Sequence, residues 1–213
     1  HLLGKENYEV INAAQNGATS ADTLVNLALI HADLEPDYVL VYHGNNDLES
    51  SFDVRFKPDY SHQRRKIADT SHPVFDKLPR WFEFSAVYVT LRLALNKPKG
   101  TLWDLYTRPG GRTDFKNGPF GLDTFRRNMR GINAIAEANG AKLVVGTFIY
   151  YKPWAYDHMY NGFAKGWQRG IDLHNAITRE LPAIHQNIHL AEIAGSFTPT
   201  RAHMLDFCHL TEK

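Results

Sequence analysis

The chain has 213 residues, 43% of them hydrophobic, which suits one α/β domain with a sizeable core. With 24 basic against 23 acidic residues, the net charge of +1 excludes a purely electrostatic nucleic-acid binder. A single cysteine, Cys208, excludes an internal disulfide and a multi-cysteine metal or cluster site, and no apolar run approaches the ~18 residues of a membrane span.

No repeat, low-complexity tract or Pro/Gly/Ser linker interrupts the chain. Tyr8 to Ala14 is short, β-branched and mostly apolar, which predicts a strand that Asn16-Gly17 ends. Thr19 or Ser20 can cap a following helix, with Asp22 in its first turn and Leu24, Leu27, Ala28 and Ile30 as its apolar stripe before Pro36. Asp37 to His43 reads as a second strand. Its continuous apolar stretch fits burial on both faces of a parallel sheet, and Gly44-Asn45-Asn46-Asp47 turns at its carboxyl end.

From about 49 to 119 the pattern loosens into an insertion. It holds a polar stretch at Arg64-Arg65-Lys66 and an apolar helix from Trp81 to Leu95. Loops follow at Pro109-Gly110-Gly111 and Asn117-Gly118-Pro119. A connection this long inside one domain is typically a lid or a substrate wall. Leu122 to Ala138 is a helix with Phe125, Met129, Ile132 and Ile135 on its inner face and Gly140 as its cap. Lys142 to Ile149 is a strand, Gly170 to Leu181 a helix stopped near Pro182, and Ile188 to Ile193 a strand. The order β-α-β, insertion, α-β-α-β predicts a flavodoxin-like, three-layer α/β/α domain on a parallel sheet. Ligands in such sheets bind beyond the carboxyl ends of the strands.

Three polar clusters fall at those ends. In Asp206-Phe207-Cys208-His209, a carboxylate three residues before an imidazole can take its Nδ1–H and leave Nε2 as a general base. An isolated D-x-x-H is as readily a capping Asp beside an incidental His. In Gly44-Asn45-Asn46-Asp47, the Asn46 amide can donate into the crevice, with Asp47 bracing the turn. Gly17 can offer an unobstructed backbone N–H near a helix start.

Together the three motifs resemble the SGNH hydrolases, or GDSL esterase/lipase family. Val10 to Ser20 is similar to the family's glycine block, Gly44-Asn45-Asn46-Asp47 to its G-x-N-D block, and Asp206 to Thr211 to its D-x-x-H-L-T block. The resemblance implies a serine esterase or acylhydrolase with His209 as general base and Asp206 as its orienter. Asn46 and the Gly17 N–H are the implied oxyanion donors. It implies a small-molecule or glycan ester as substrate and needs no metal or organic cofactor. Carbohydrate O-acyl transfer or O-deacetylation, and a non-catalytic binding domain, are the alternatives.

The family's G-D-S block is missing: only seven residues precede Tyr8, and none is serine. The chain also stops two residues after the H-L-T run, at Lys213. The expectation is a fragment of a longer protein, whose nucleophilic serine lies outside the given sequence. Ser20 reads as a helix cap and Cys208 as a packing residue. His43, Tyr150 and Trp154 sit where a substrate pocket would form, and ordinary packing explains them equally well. The 11 histidines show neither H-E-x-x-H nor paired Cys/His spacing, so no metal site is expected.

Overall fold

The computed structural model describes residues 9–15, 17–61, 113–158 and 161–211. Three strands form a parallel sheet in the order β1 (Tyr38–Val41), β2 (Lys142–Gly146), β3 (Ile188–Ala191). The register sets Val39 beside Leu143, and Leu143 beside Ile188. Side chains alternate across a strand, so Val41, Leu143, Val145 and Ile188 share one apolar face.

Two helices cover that face. Helix α3 (Leu122–Ala138) buries Phe125, Met129, Ile132 and Ala136, a helical spacing that draws one stripe along it. Helix α5 (Asn161–Ile184) adds Ile177 and Leu181. Each large side chain buried here contributes about 1.5–3 kcal/mol. The α5 helix starts nine residues before the expected Gly170 and carries Pro182 inside its last turn. Two of its glycines allow close packing: a Cβ on Gly170 would lie 2.3 Å from Leu48, and one on Gly166 would lie 2.7 Å from Phe115.

The other face of the sheet differs from the three-layer expectation. Leu40, Val144 and His189 share a register row there. Leu40 is 72% exposed and Tyr38 62% exposed. Among the described residues, helices cover one face only.

The predicted first strand is also not a strand. Residues 9–15 are exposed, with Val10 at 87%, and a local bond from Ala14 N–H to the Asn12 side chain replaces ladder pairing. An extended segment needs a neighbouring edge for its backbone groups, and no described strand pairs with it.

Helix α1 (Ser20–Asn26) starts as expected, with Thr19 and Asp22 exchanging cap hydrogen bonds. It then widens into a π-helical turn (Leu27–His31) and tightens into a 3-10 turn (Ala32–Leu34). The π turn rephases the apolar stripe, so Leu27 is buried while Ile30 is 56% exposed.

Helix α2 (Asn45–Ser51) begins inside the expected turn after β1, with Gly44 as its N-cap. A Cβ on Gly44 would fall 2.8 Å from the Phe148 ring, so the close approach needs glycine. The two ends of the insertion meet: Asp53 bridges Thr113, Asp114 N–H donates to Phe52, and Phe120 N–H donates to Ser51. The expected Trp81–Leu95 helix, the Arg64-Arg65-Lys66 stretch and the Pro109-Gly110-Gly111 loop lie outside the described residues. Helix α4 (Lys152–His158) follows β2, and α6 (Ile193–Ser196) follows β3. No described helix is long and apolar enough to cross a membrane.

Candidate active site

The Asp206–His209 turn is built by its own carboxylate. Asp206 Oδ1 accepts the backbone N–H groups of Cys208 and His209, each at 2.8 Å. Its Oδ2 lies 2.7 Å from His209 Nδ1. A carboxylate only accepts, so Nδ1 carries a proton, and in the neutral imidazole Nε2 holds the lone pair. Partial burial pushes the Asp206 carboxyl up, but the hydrogen bonds from Cys208, the His209 ring and the His209 N–H outweigh it and leave its pKa lowered. The His209 ring is 64% exposed, and Nε2 has no hydrogen-bond partner among the described residues.

Packing anchors this turn. Phe207 and Cys208 join Leu48, Phe148, Phe163, Trp167 and Ile171 in a second apolar cluster. Tyr151 N–H donates to the Phe207 carbonyl, and Leu205 N–H donates to His209. The cluster therefore holds the Asp206–His209 turn against α2, the helix that follows β1.

Asn46 is tied to the residue that follows Gly17. The Asn46 amide donates to the Ala18 carbonyl at 2.9 Å and keeps a second N–H unspent among the described residues. Gly17 is exposed at φ +75°, in the left-handed region that favours glycine. A Cβ there would meet nothing within 4 Å, so backbone conformation and not crowding is what favours glycine at this position. Asn16 lies outside the described residues.

The three pocket candidates take different places. The His43 ring is 13% exposed and shares a hydrogen bond with Thr23 at 2.7 Å, with Asp47 at 3.7 Å. Burial lowers its pKa against the pull of Asp47 and Asp22, so the ring is neutral at pH 7. Trp154 stacks on His158 at 4.5 Å and tilts onto Phe207 at 5.8 Å. Tyr150 donates its hydroxyl to Ala164 and lines a cleft of about 210 Å³ with Lys152, Asp172 and Arg179.

Serine and cysteine are placed as follows. Ser20 is fully buried inside the first turn of α1, where it bonds to Asp47 and does not cap the helix. No described serine hydrogen-bonds to His209. Cys208 Sγ lies 3.5 Å from His209 Nδ1, but burial and the Asp206 carboxylate raise its pKa, which keeps the thiol protonated and unreactive. Asp206, Cys208 and His209 do put one potential metal-ligand atom each within 4.8 Å of one another. The protonated thiol and the fully engaged Asp206 Oδ1 fit a hydrogen-bonded pair better than a metal ligand set.

Sequence reading missed Tyr60 and Asn128, which join Ser20 and Asp47 in a buried polar cluster. They stand 13 and 108 residues from their partners, and no local spacing announces them. Comparison of the chain with protein-family models, with curated proteins and with solved structures finds no match.

Proposed function

We propose that this chain carries the general base and the oxyanion donors of an SGNH-type serine esterase or acylhydrolase. The observation that supports this most is the Asp206–His209 pair, with its fixed tautomer and an Nε2 open to solvent. In this reading a serine outside the described residues attacks the ester carbonyl and gives its proton to His209 Nε2. The alcohol leaves as the bond to the acyl carbon breaks, taking that proton. Water then repeats both steps on the acyl-enzyme and restores the serine. Asp206 holds the imidazole and stabilises its charged form. The Gly17 N–H and the second Asn46 N–H stabilise the oxyanion, each worth about 3–4 kcal/mol at the transition state.

The flavodoxin-like, three-layer arrangement belongs to the same reading. A serine-bearing strand would pair with the outer edge of β1, and a second helical layer would cover Tyr38, Leu40 and His189. Carbohydrate O-acyl transfer or deacetylation is the second reading. The cleft beside Tyr150 favours it, because Lys152 and Asp172 offer a donor and an acceptor for hydroxyl groups.

The test starts upstream of His1 in the coding sequence. A strand followed by a Gly-Asp-Ser or Gly-x-Ser turn is expected there. The longer protein should hydrolyse a short-chain aryl ester, and His209→Ala should lower kcat by about 10⁴-fold or more. A reading frame without that serine, or full turnover in His209→Ala, rejects the proposal. Adding glycan acceptors to the assay separates hydrolysis from acyl transfer.

A further inference from the structure

Asp47 is 1% exposed, and no described Lys or Arg forms an ion pair with it. A buried carboxylate without a cationic partner is expensive unless hydrogen bonds replace its water. Here three donors do so. Ser20 donates its backbone N–H to Oδ2 at 2.9 Å and its hydroxyl to Oδ1. Tyr60 donates its hydroxyl to Oδ1 at 2.7 Å. Asn128, from α3, in turn donates to Ser20 Oγ at 3.0 Å. The neutral His43 ring closes the remaining side at 3.7 Å.

The neighbouring residue makes the arrangement informative. Asn46 grips Ala18 and Asp47 grips Ser20, so two consecutive residues of α2 hold two positions of the turn that starts at Gly17. One grip would leave that turn free to pivot. Two grips, from adjacent residues of α2 onto positions two residues apart in the turn, fix its orientation. We infer that Asp47 is a positioning residue that locks the Gly17 turn to Asn46, so that the Gly17 N–H and the Asn46 amide converge on one point. The inference rests on the esterase reading for what sits at that point.

The carboxylate is needed for this because it only accepts. All of its described partners at hydrogen-bond distance are donors. Asparagine has nearly the same shape but turns one of the two accepting atoms into a donor. With its oxygen on the Ser20 N–H, its NH2 group faces the Ser20 and Tyr60 hydroxyls, which must turn from donors into acceptors, although Ser20 Oγ already accepts from Asn128.

Two measurements on Asp47→Asn test the inference, with Ser20→Ala and Tyr60→Phe as milder variants should that one fail to fold. The first is amide hydrogen exchange in the 213-residue chain. Exchange at Ala18 to Ser20 should speed up at least tenfold in Asp47→Asn and the Asn46 side-chain amide signal should shift. Exchange in β2 and α3 should stay unchanged. The second is aryl-ester kinetics in the longer protein. There kcat should fall about 100-fold with KM within threefold, as for loss of an oxyanion donor, and Ser20→Ala and Tyr60→Phe should fall in between. Unchanged exchange at Ala18 to Ser20, or an unchanged kcat, overturns the inference. If the exchange result holds but the wild-type longer protein turns over no ester, the esterase reading falls and the clamp between the two turns stands.

Discussion

At the scale of single residues, the arrangement at Asp206 makes a claim about one proton. Both backbone N–H groups and the ring converge on this carboxylate, so the His209 proton sits on Nδ1. Free imidazole in water favours the proton on Nε2. Asp206→Ala therefore should shift the His209 tautomer from Nδ1–H toward Nε2–H, read from the ring ¹⁵N shifts of the 213-residue chain. If the ring signals of the variant match those of the wild type, Asp206 does not orient the base. This pair was legible in sequence because all its bonds close within three residues. Asn46 and Gly17 were legible as residue types that donate, but the Ala18 carbonyl that joins them was not. The role of Ser20 was misread for the same reason. A serine at a helix start reads as a cap, and only the fold brings Asp47 to it from 27 positions away.

At the scale of elements, helix α5 carries a cost that its sequence hides. His174 is fully buried, and its Nδ1 donates to the Gly170 carbonyl at 3.0 Å. Its Nε2 is buried without a partner among the described residues, and the imidazole and Phe125 ring centroids lie 4.7 Å apart. Burial lowers its pKa below the usual 6.5, and the pull of Asp47 from α2 and the Gly170 bond only partly offset this. The folded protein thus resists a proton that the unfolded chain accepts. The stabilising contribution is complete above pH 6.5 and is lost as pH falls from there toward the folded-state pKa. His174→Asn keeps a donor for Gly170 and removes the titration. Urea unfolding from pH 7.5 to 5 should fall less steeply in the variant than in the wild type, and parallel slopes would rule the mechanism out. The helices themselves were readable, because apolar residues recur along α3 at helical spacing. The bounds of α5 were less so: the expected helix begins only at Gly170, whereas the helix runs from Asn161 to Ile184 through Gly166 and Gly170. These are small residues that let Phe115 and Leu48 approach.

At the scale of the whole molecule, the alternation of strands and helices predicted the parallel sheet, and periodicity could not reveal which faces are covered. A run such as Tyr38-Val39-Leu40-Val41 signals burial on both sides. The described residues cover Val39 and Val41 and leave Tyr38 and Leu40 exposed. The predicted strand at Tyr8 to Ala14 fails for a related reason: its apolar pattern was read correctly, but a strand exists only where a partner edge meets it. The exposed row makes a prediction whose sign depends on context. In the 213-residue chain, Leu40→Lys replaces a side chain that is 72% exposed, so its effect on stability should stay within about 0.5 kcal/mol. In a longer protein that adds a strand to the β1 edge and a helical layer over Leu40, the same change buries an unpaired charge. It should then cost at least about 2–3 kcal/mol. Denaturant unfolding of both forms, each with and without the substitution, gives four numbers. A penalty confined to the longer form places its added segment on β1, the arrangement that would carry a serine toward His209. Equal small effects in both forms leave that face open, and in the esterase reading the serine would have to reach His209 by another route.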